Sequence, residues 1–170
     1  MTEEPSEPPK EPKKPKPESS SAWDSLEEPV TWIGKLAWIF LLVAAILEIL
    51  LAILNIARQV ATNARLASLI PGYTPTYSLG FPIWQIIGGV ISLLFSIIIV
   101  RPRFSKKCGE KDWDFLLNDV LKLGDFRFPW MFVWAIIATI FGWYWGGAAI
   151  WFPAIILVVA GPKPYKWTEE

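Results

Sequence analysis

Histidine is absent from this chain, and cysteine occurs once, at Cys108. The first absence removes the commonest general base and the commonest metal ligand. The second rules out a disulfide within these residues. The formal net charge is zero, so no bulk attraction to nucleic acid follows from it. Asn55, Asn63 and Asn118 are not followed by the Asn-x-Ser/Thr pattern of a glycosylation acceptor. No catalytic, metal-binding or nucleotide-binding motif stands out, so the expectation is a non-enzymatic protein with no catalytic residue, cofactor, metal or nucleic-acid partner. The first 35 residues also lack the basic-then-apolar pattern of a secretory signal. Residues 36–57 are therefore expected to engage the insertion machinery themselves.

What is plentiful is apolar surface. Of 170 residues 53% are hydrophobic and 11 are tryptophan, too many for an ordinary soluble domain of this length. Residues 36–57, LAWIFLLVAAILEILLAILNIA, meet the roughly 20 apolar residues that about 30 Å of hydrocarbon requires. Trp32, Lys35 and Trp38 mark its boundary, because Trp prefers the headgroup level and Lys snorkels to it. No Pro or Gly falls between Lys35 and Ile70, so the helix is expected to run on to the break at Pro71-Gly72. Residues 81–100 form a second span, closed by Arg101-Pro102-Arg103.

Residues 129–161 are near-continuously apolar, punctuated by Gly142, Gly146, Gly147 and Pro153. One helix would overshoot a bilayer, whereas two spans of about 16 residues would each cover about 24 Å. The reading taken is a short hairpin, spans 129–144 and 147–161, with a single tilted span as the alternative. Between the two halves of the chain, Trp113, Leu116, Leu117, Val120 and Leu121 recur at helical spacing, with Gly124 as the expected C-cap. This predicts an amphipathic helix over 112–123, lying on the membrane surface.

The fold class is thus an all-α integral membrane protein: residues 22–170 form four transmembrane helices, two long and then a short hairpin, with one interfacial helix. Residues 1–21, rich in Pro, Lys and Glu, are expected to be a disordered tether. Pro9, Pro12 and Pro15 there fall at PxxP spacing, the outline of an SH3 ligand. With four spans, Lys and Arg gather on one side and leave only Arg58 and Arg65 on the other, which places both termini in the cytoplasm, across the cell membrane. Tyr73, Tyr77, Trp84, Trp143 and Trp145 then fall at the outer boundary.

The candidate site is built around Glu48, an acid inside an apolar run, where its charged form costs about 2.5 to 3.5 kcal/mol. It belongs to a stripe of small and polar residues, Ala45, Glu48, Ala52, Asn55, Gln59 and Thr62, at three- and four-residue steps. Gln85, Gly89, Ser92 and Ser96 form a matching stripe on the second span, with Gly88 beside it. Gly88, Gly89 and Ser96 would let two backbones approach closely, and Gln85 or Ser92 could hydrogen-bond the carboxyl. Thr139 reaches a similar depth. Arg101, Arg103, Lys106 and Lys107 form a basic loop suited to anionic headgroups. The three lysines around Cys108 would favour its thiolate, and a free reduced thiol is the reading taken, with lipidation as the lesser one. The role these features point to is an interaction or accessory subunit, its partners the bilayer, a second copy through the first span, or another membrane protein. The alternative is a small transporter or channel using Glu48 as a proton or cation site.

Overall fold

Nothing in residues 36–57 interrupts a helix, and no Pro or Gly follows until Pro71. In the computed structural model, which describes residues 21–142 and 145–168, one helix, α1 (Ser21–Leu69), runs through all of them. Its 49 residues make about 73 Å. Pro29 lies within α1 on its exposed side. Beyond Leu69 the chain turns at Pro71-Gly72, where Gly72 takes a φ of 80° that a side chain would resist. The Pro-rich tail with its PxxP spacing lies outside the described residues.

The second helix is longer than its apolar run. After α2 (Gly80–Phe95) the backbone continues as π-helical turns over Ser96–Ser105 and then as α3 (Lys106–Gly109), with no break. Arg101-Pro102-Arg103 does not close the helix as expected. Pro102 has no N–H to give and its ring crowds the carbonyl of the preceding turn; wider turns make room for both defects. The Arg101–Lys107 cations therefore stand on a helical rod and not on a loop. Two helices, Ala22–Leu69 and Gly80–Gly109, are long and apolar enough to cross a membrane.

The predicted surface helix over 112–123 is a larger correction. Only α4 (Trp113–Asn118) is helical, with Asp112 accepting from Phe115 N at 3.2 Å as its N-cap. Lys107 Nζ donates to the same carboxylate at 2.7 Å and holds it below the usual carboxylate range. The chain then forms an antiparallel hairpin of β1 (Val120–Leu123) and β2 (Phe126–Pro129), Leu123 opposite Phe126. Gly124 is not a helix cap but the first residue of its two-residue turn, with a φ of 64°. The apolar face of α4 meets protein and not lipid: Trp113, Leu116 and Leu117 are buried, and Trp113 stands edge-on to Trp23 at 5.3 Å. Lys111 and the Trp113 indole both donate to Glu27, at 3.1 and 3.2 Å. The carboxy-terminal tail completes this cap, Arg127 N donating to Trp167 O at 2.8 Å and Lys163 pairing with Asp114 at 2.7 Å.

Cys108 is fully buried under the cap, where a Cβ added to Gly34 of α1 would sit 2.5 Å from its Sγ. Burial pushes its thiol up, opposite to the shift expected from its lysine neighbours, and leaves no access for lipidation. A maleimide is expected to leave Cys108 unmodified in the folded protein and to react fully in denaturant. Labelling of the folded protein at the rate of a free thiol would show that the cap opens.

The apolar stretch 129–161 folds as two helices and not as one tilted span: α5 (Trp130–Phe141) and α6 (Trp145–Ala160). They run antiparallel, with Trp151 Nε1 donating to Thr139 Oγ1 at 3.0 Å and the Phe132 and Trp151 rings 5.6 Å apart. Around the bundle α1 lies between α2 and α6, and α5 closes the ring between α6 and α2. The depth of this hairpin is set by what its tip touches. Added Cβ atoms on Gly142 and Gly146 would lie 2.7 and 2.5 Å from Leu41 Cδ1. Trp145 borders Ala44, Leu47 and Leu51 of α1. From that level α1 runs on for another nine residues, about 14 Å, from Glu48 to Ala57.

Candidate polar site between the long helices

Helix α1 presents Ala45, Glu48 and Ala52 to the bundle, all buried, because small residues at three- and four-residue steps leave a groove the next helix can enter. Helix α2 enters it through Gly88 and Gly89. A Cβ on Gly89 would sit 2.6 Å from Ile49 Cγ1 and 3.0 Å from the Ala45 carbonyl oxygen. A Cβ on Gly88 would lie 2.9 Å from the Phe141 carbonyl oxygen and 3.8 Å from Glu48 Oε1. The last turn of α5 thus meets the carboxyl of α1 over the bare backbone of α2. A helix C-terminus gathers carbonyl oxygens and the negative end of the helix dipole.

Gln85 and Ser92 are buried on the same face of α2. Ser92 Oγ would lie 3.3 Å from a Cβ on Gly142, at the hairpin tip. Glu48 Oε2 and Ser92 Oγ are both buried without a hydrogen-bond partner among the described residues. Neither Gln85 nor Ser92 satisfies the outer carboxyl oxygen, the role proposed for them from sequence. Orphaned buried oxygens of this kind cost about 1–3 kcal/mol each.

The remaining candidates are placed elsewhere. Asn55 accepts from Gln59 Nε2 at 3.3 Å and, with Gln85, Arg58 and Phe81, lines a shallow groove of about 340 Å³. Ser96 Oγ donates to the Trp38 carbonyl at 2.6 Å, a stitch between helices well away from Glu48. Thr139 spends its hydroxyl on Ala135 O at 2.8 Å within the α5–α6 seam. Thr62 is exposed, and it is Asn63 that turns inward. Asn63 Nδ2 donates to Thr76 O at 2.7 Å and its Oδ1 accepts from the Tyr73 hydroxyl at 2.5 Å. Gln59 adds a two-way pair with the Ser78 backbone, at 3.1 and 2.8 Å. These two amides bind the 73–79 loop back onto α1. The i, i+4 spacing of Gln59 and Asn63 is a sequence signal for a shared partner.

Arg101, Arg103 and Lys106 are exposed along the rod, and Lys107 belongs to the Asp112 pair. Among the described residues no group of three or more His, Cys, Asp or Glu is placed to hold a metal ion. Chemically, a buried carboxyl is a group able to take up or release a proton. No protein-family model, curated protein or solved structure matches this chain.

Proposed function

We propose that this protein is a non-enzymatic, multi-pass membrane protein, an interaction or accessory subunit whose folded cap engages partners or lipid at the cytoplasmic face of the cell membrane. One observation carries the reading: the polarity of the bundle is inverted relative to a water-soluble one. Glu48, Gln85, Ser92 and Ser96 are buried, while Phe40, Val43, Leu47, Leu50 and Ile53 of α1, Ile83, Ile87, Val90 and Leu94 of α2 and Ile98 of the π-helical turns are 46–61% exposed. A belt of that size has no reason to face water, whereas a bilayer demands it. The cap lies at the end rich in Lys and Arg, which the positive-inside bias assigns to the cytoplasm. It also leaves Leu123, Phe126 and Trp167 open on one surface, a place for a protein partner.

The topology that goes with this reading has two complete crossings, α1 and α2, and a hairpin, α5–α6, that enters from the cap side and turns back at the level of Glu48. It takes the place of the four complete spans read from sequence. The lengths support it, since 12 and 16 residues reach only about 18 and 24 Å. Single cysteines in a Cys108→Ser background test it with an impermeant maleimide on sealed vesicles. Thr76→Cys should label from outside, Thr168→Cys only from inside, and Ala148→Cys, exposed at the hairpin tip, from neither. Outside labelling of Ala148→Cys would restore four spans; outside labelling of Thr168→Cys would sink the shared-side arrangement of the termini.

The second reading, a proton or cation site at Glu48, is favoured by the two unpartnered oxygens beside the end of a half-depth helix. Broken helices whose ends meet at mid-membrane are a way of building ion sites there. Under the packing reading Glu48→Gln is nearly silent, and Glu48→Leu does not destabilise the bundle, because Oε2 has no hydrogen bond to lose and the cost of inserting an acid is removed. Under the ion reading Glu48→Gln abolishes a pH-dependent flux in proteoliposomes at unchanged thermal stability.

A further inference from the structure

Where α1 and the π-helical turns of the second helix cross, an open groove of about 580 Å³ runs between Lys35 and Trp38 on one side and Ile97, Arg101 and Lys106 on the other. Its two ends differ in kind. Toward the middle of the two helices it is walled by Ile97 and the Trp38 ring; toward the cap it is walled by three cationic side chains, and among the described residues no acidic side chain lines it. Lys106 shares part of its charge with Glu110 at 3.8 Å. The Arg101 guanidinium lies over the Trp38 ring, its Cζ 4.8 Å from the centroid. Trp38 itself is fixed from two sides: its carbonyl accepts from Ser96 Oγ at 2.6 Å and its N–H reaches Ser105 Oγ at 3.2 Å. Those two serines bracket the π-helical turns, so the widened backbone is what sets Arg101 opposite Trp38.

We infer that this groove is a binding site for an anionic phospholipid, the phosphodiester held by Lys35, Arg101 and Lys106 and the first part of an acyl chain lying along Trp38 and Ile97. The inference rests on the membrane reading above. Depth fits the occupant, because Lys35 and Arg101 stand at the ends of the two apolar runs, the level of the headgroup phosphates. An amphipathic cleft suits a lipid better than a free anion: the free anion would leave the apolar half unfilled.

The test uses the intact protein, purified in detergent and titrated with phosphatidylglycerol or phosphatidylcholine under native mass spectrometry. Wild type is expected to retain phosphatidylglycerol preferentially. Lys35→Gln with Arg101→Gln should weaken that binding roughly ten- to thirty-fold, while Arg58→Gln with Arg65→Gln, the same charge change at the opposite end, leaves it unaltered. Trp38→Leu should lower affinity for phosphatidylglycerol and for a short-chain analogue alike. Equal retention of the two lipids by wild type, or equal loss in both double variants, would overturn the site. Displacement of the lipid by millimolar inorganic phosphate would reassign the groove to a free anion. Release of the protein from membranes by carbonate would instead defeat the membrane reading, so the two failures are distinguishable.

Discussion

Gly89→Val should destabilise the bundle more than any other single change along the α1–α2 seam. A glycine in a helix interior is worth about 0.5–1 kcal/mol less than alanine, so the substitution begins with a modest gain in backbone stability. Against this stands steric conflict. The new Cβ would meet Ile49 Cγ1 at 2.6 Å, which a rotamer change could relieve, and the Ala45 carbonyl oxygen at 3.0 Å, which only a shift of helix α1 could relieve. Overpacking of a tight interior costs about 1–3 kcal/mol for added methyl-sized groups, and a branched side chain against backbone belongs at the top of that range. For a protein of this length about 2–4 °C of melting temperature accompanies each kcal/mol. Thermal unfolding in detergent should therefore begin several degrees earlier for Gly89→Val, whereas Val90→Leu, on the exposed neighbour, melts with wild type. Identical melting of Gly89→Val and wild type would mean that the two helices are not in backbone contact at this level.

The second large effect concerns the cap. Trp113→Ala removes a buried ring that packs edge-on against Trp23 and donates its indole N–H to Glu27 at 3.2 Å. Large-to-small changes of this type cost about 3–5 kcal/mol. Trp113→Phe, which keeps most of the ring but loses the donor, should cost nearer 1 kcal/mol. Cys108, sealed beneath the cap, provides the readout: it should become reactive to maleimide in Trp113→Ala and remain protected in Trp113→Phe. The effect should be the same in detergent and in vesicles, because the ring packs on protein. Protection of Cys108 that survives Trp113→Ala in vesicles but not in detergent would return α4 to the membrane surface.

How far the sequence could be read depended on how local the cause was. Uninterrupted apolar runs suffice for α1 and for the first part of the second helix, and Pro71-Gly72 suffices for the turn after α1, because each is decided by the residues' own backbone preferences and by length against a bilayer. The small and polar stripe was legible for the same reason: a period near 3.6 puts Ala45, Glu48 and Ala52 on one face whatever the neighbours are.

What lay between chain segments was decided by tertiary structure alone. Pro102 is a helix breaker in isolation, yet the second helix passes through it, since wide turns stitched to Trp38 by Ser96 and Ser105 offset the lost bond. Trp113, Leu116 and Leu117 follow a helical period, but the helix stops at Asn118, where Val120 and Leu121 gain more by pairing with Phe128 and Pro129 across the Gly124-Asp125 turn. Those two turn residues between apolar strands were a hairpin signal, outweighed in the sequence by the periodicity ahead of them. Hydrophobicity also could not set where the α5–α6 tip meets α1, since it records that a segment avoids water and not which residues it packs against. That position comes from Gly142 and Gly146 against Leu41 and from the bare backbone of Gly88 beneath Phe141, contacts between residues that no local pattern links.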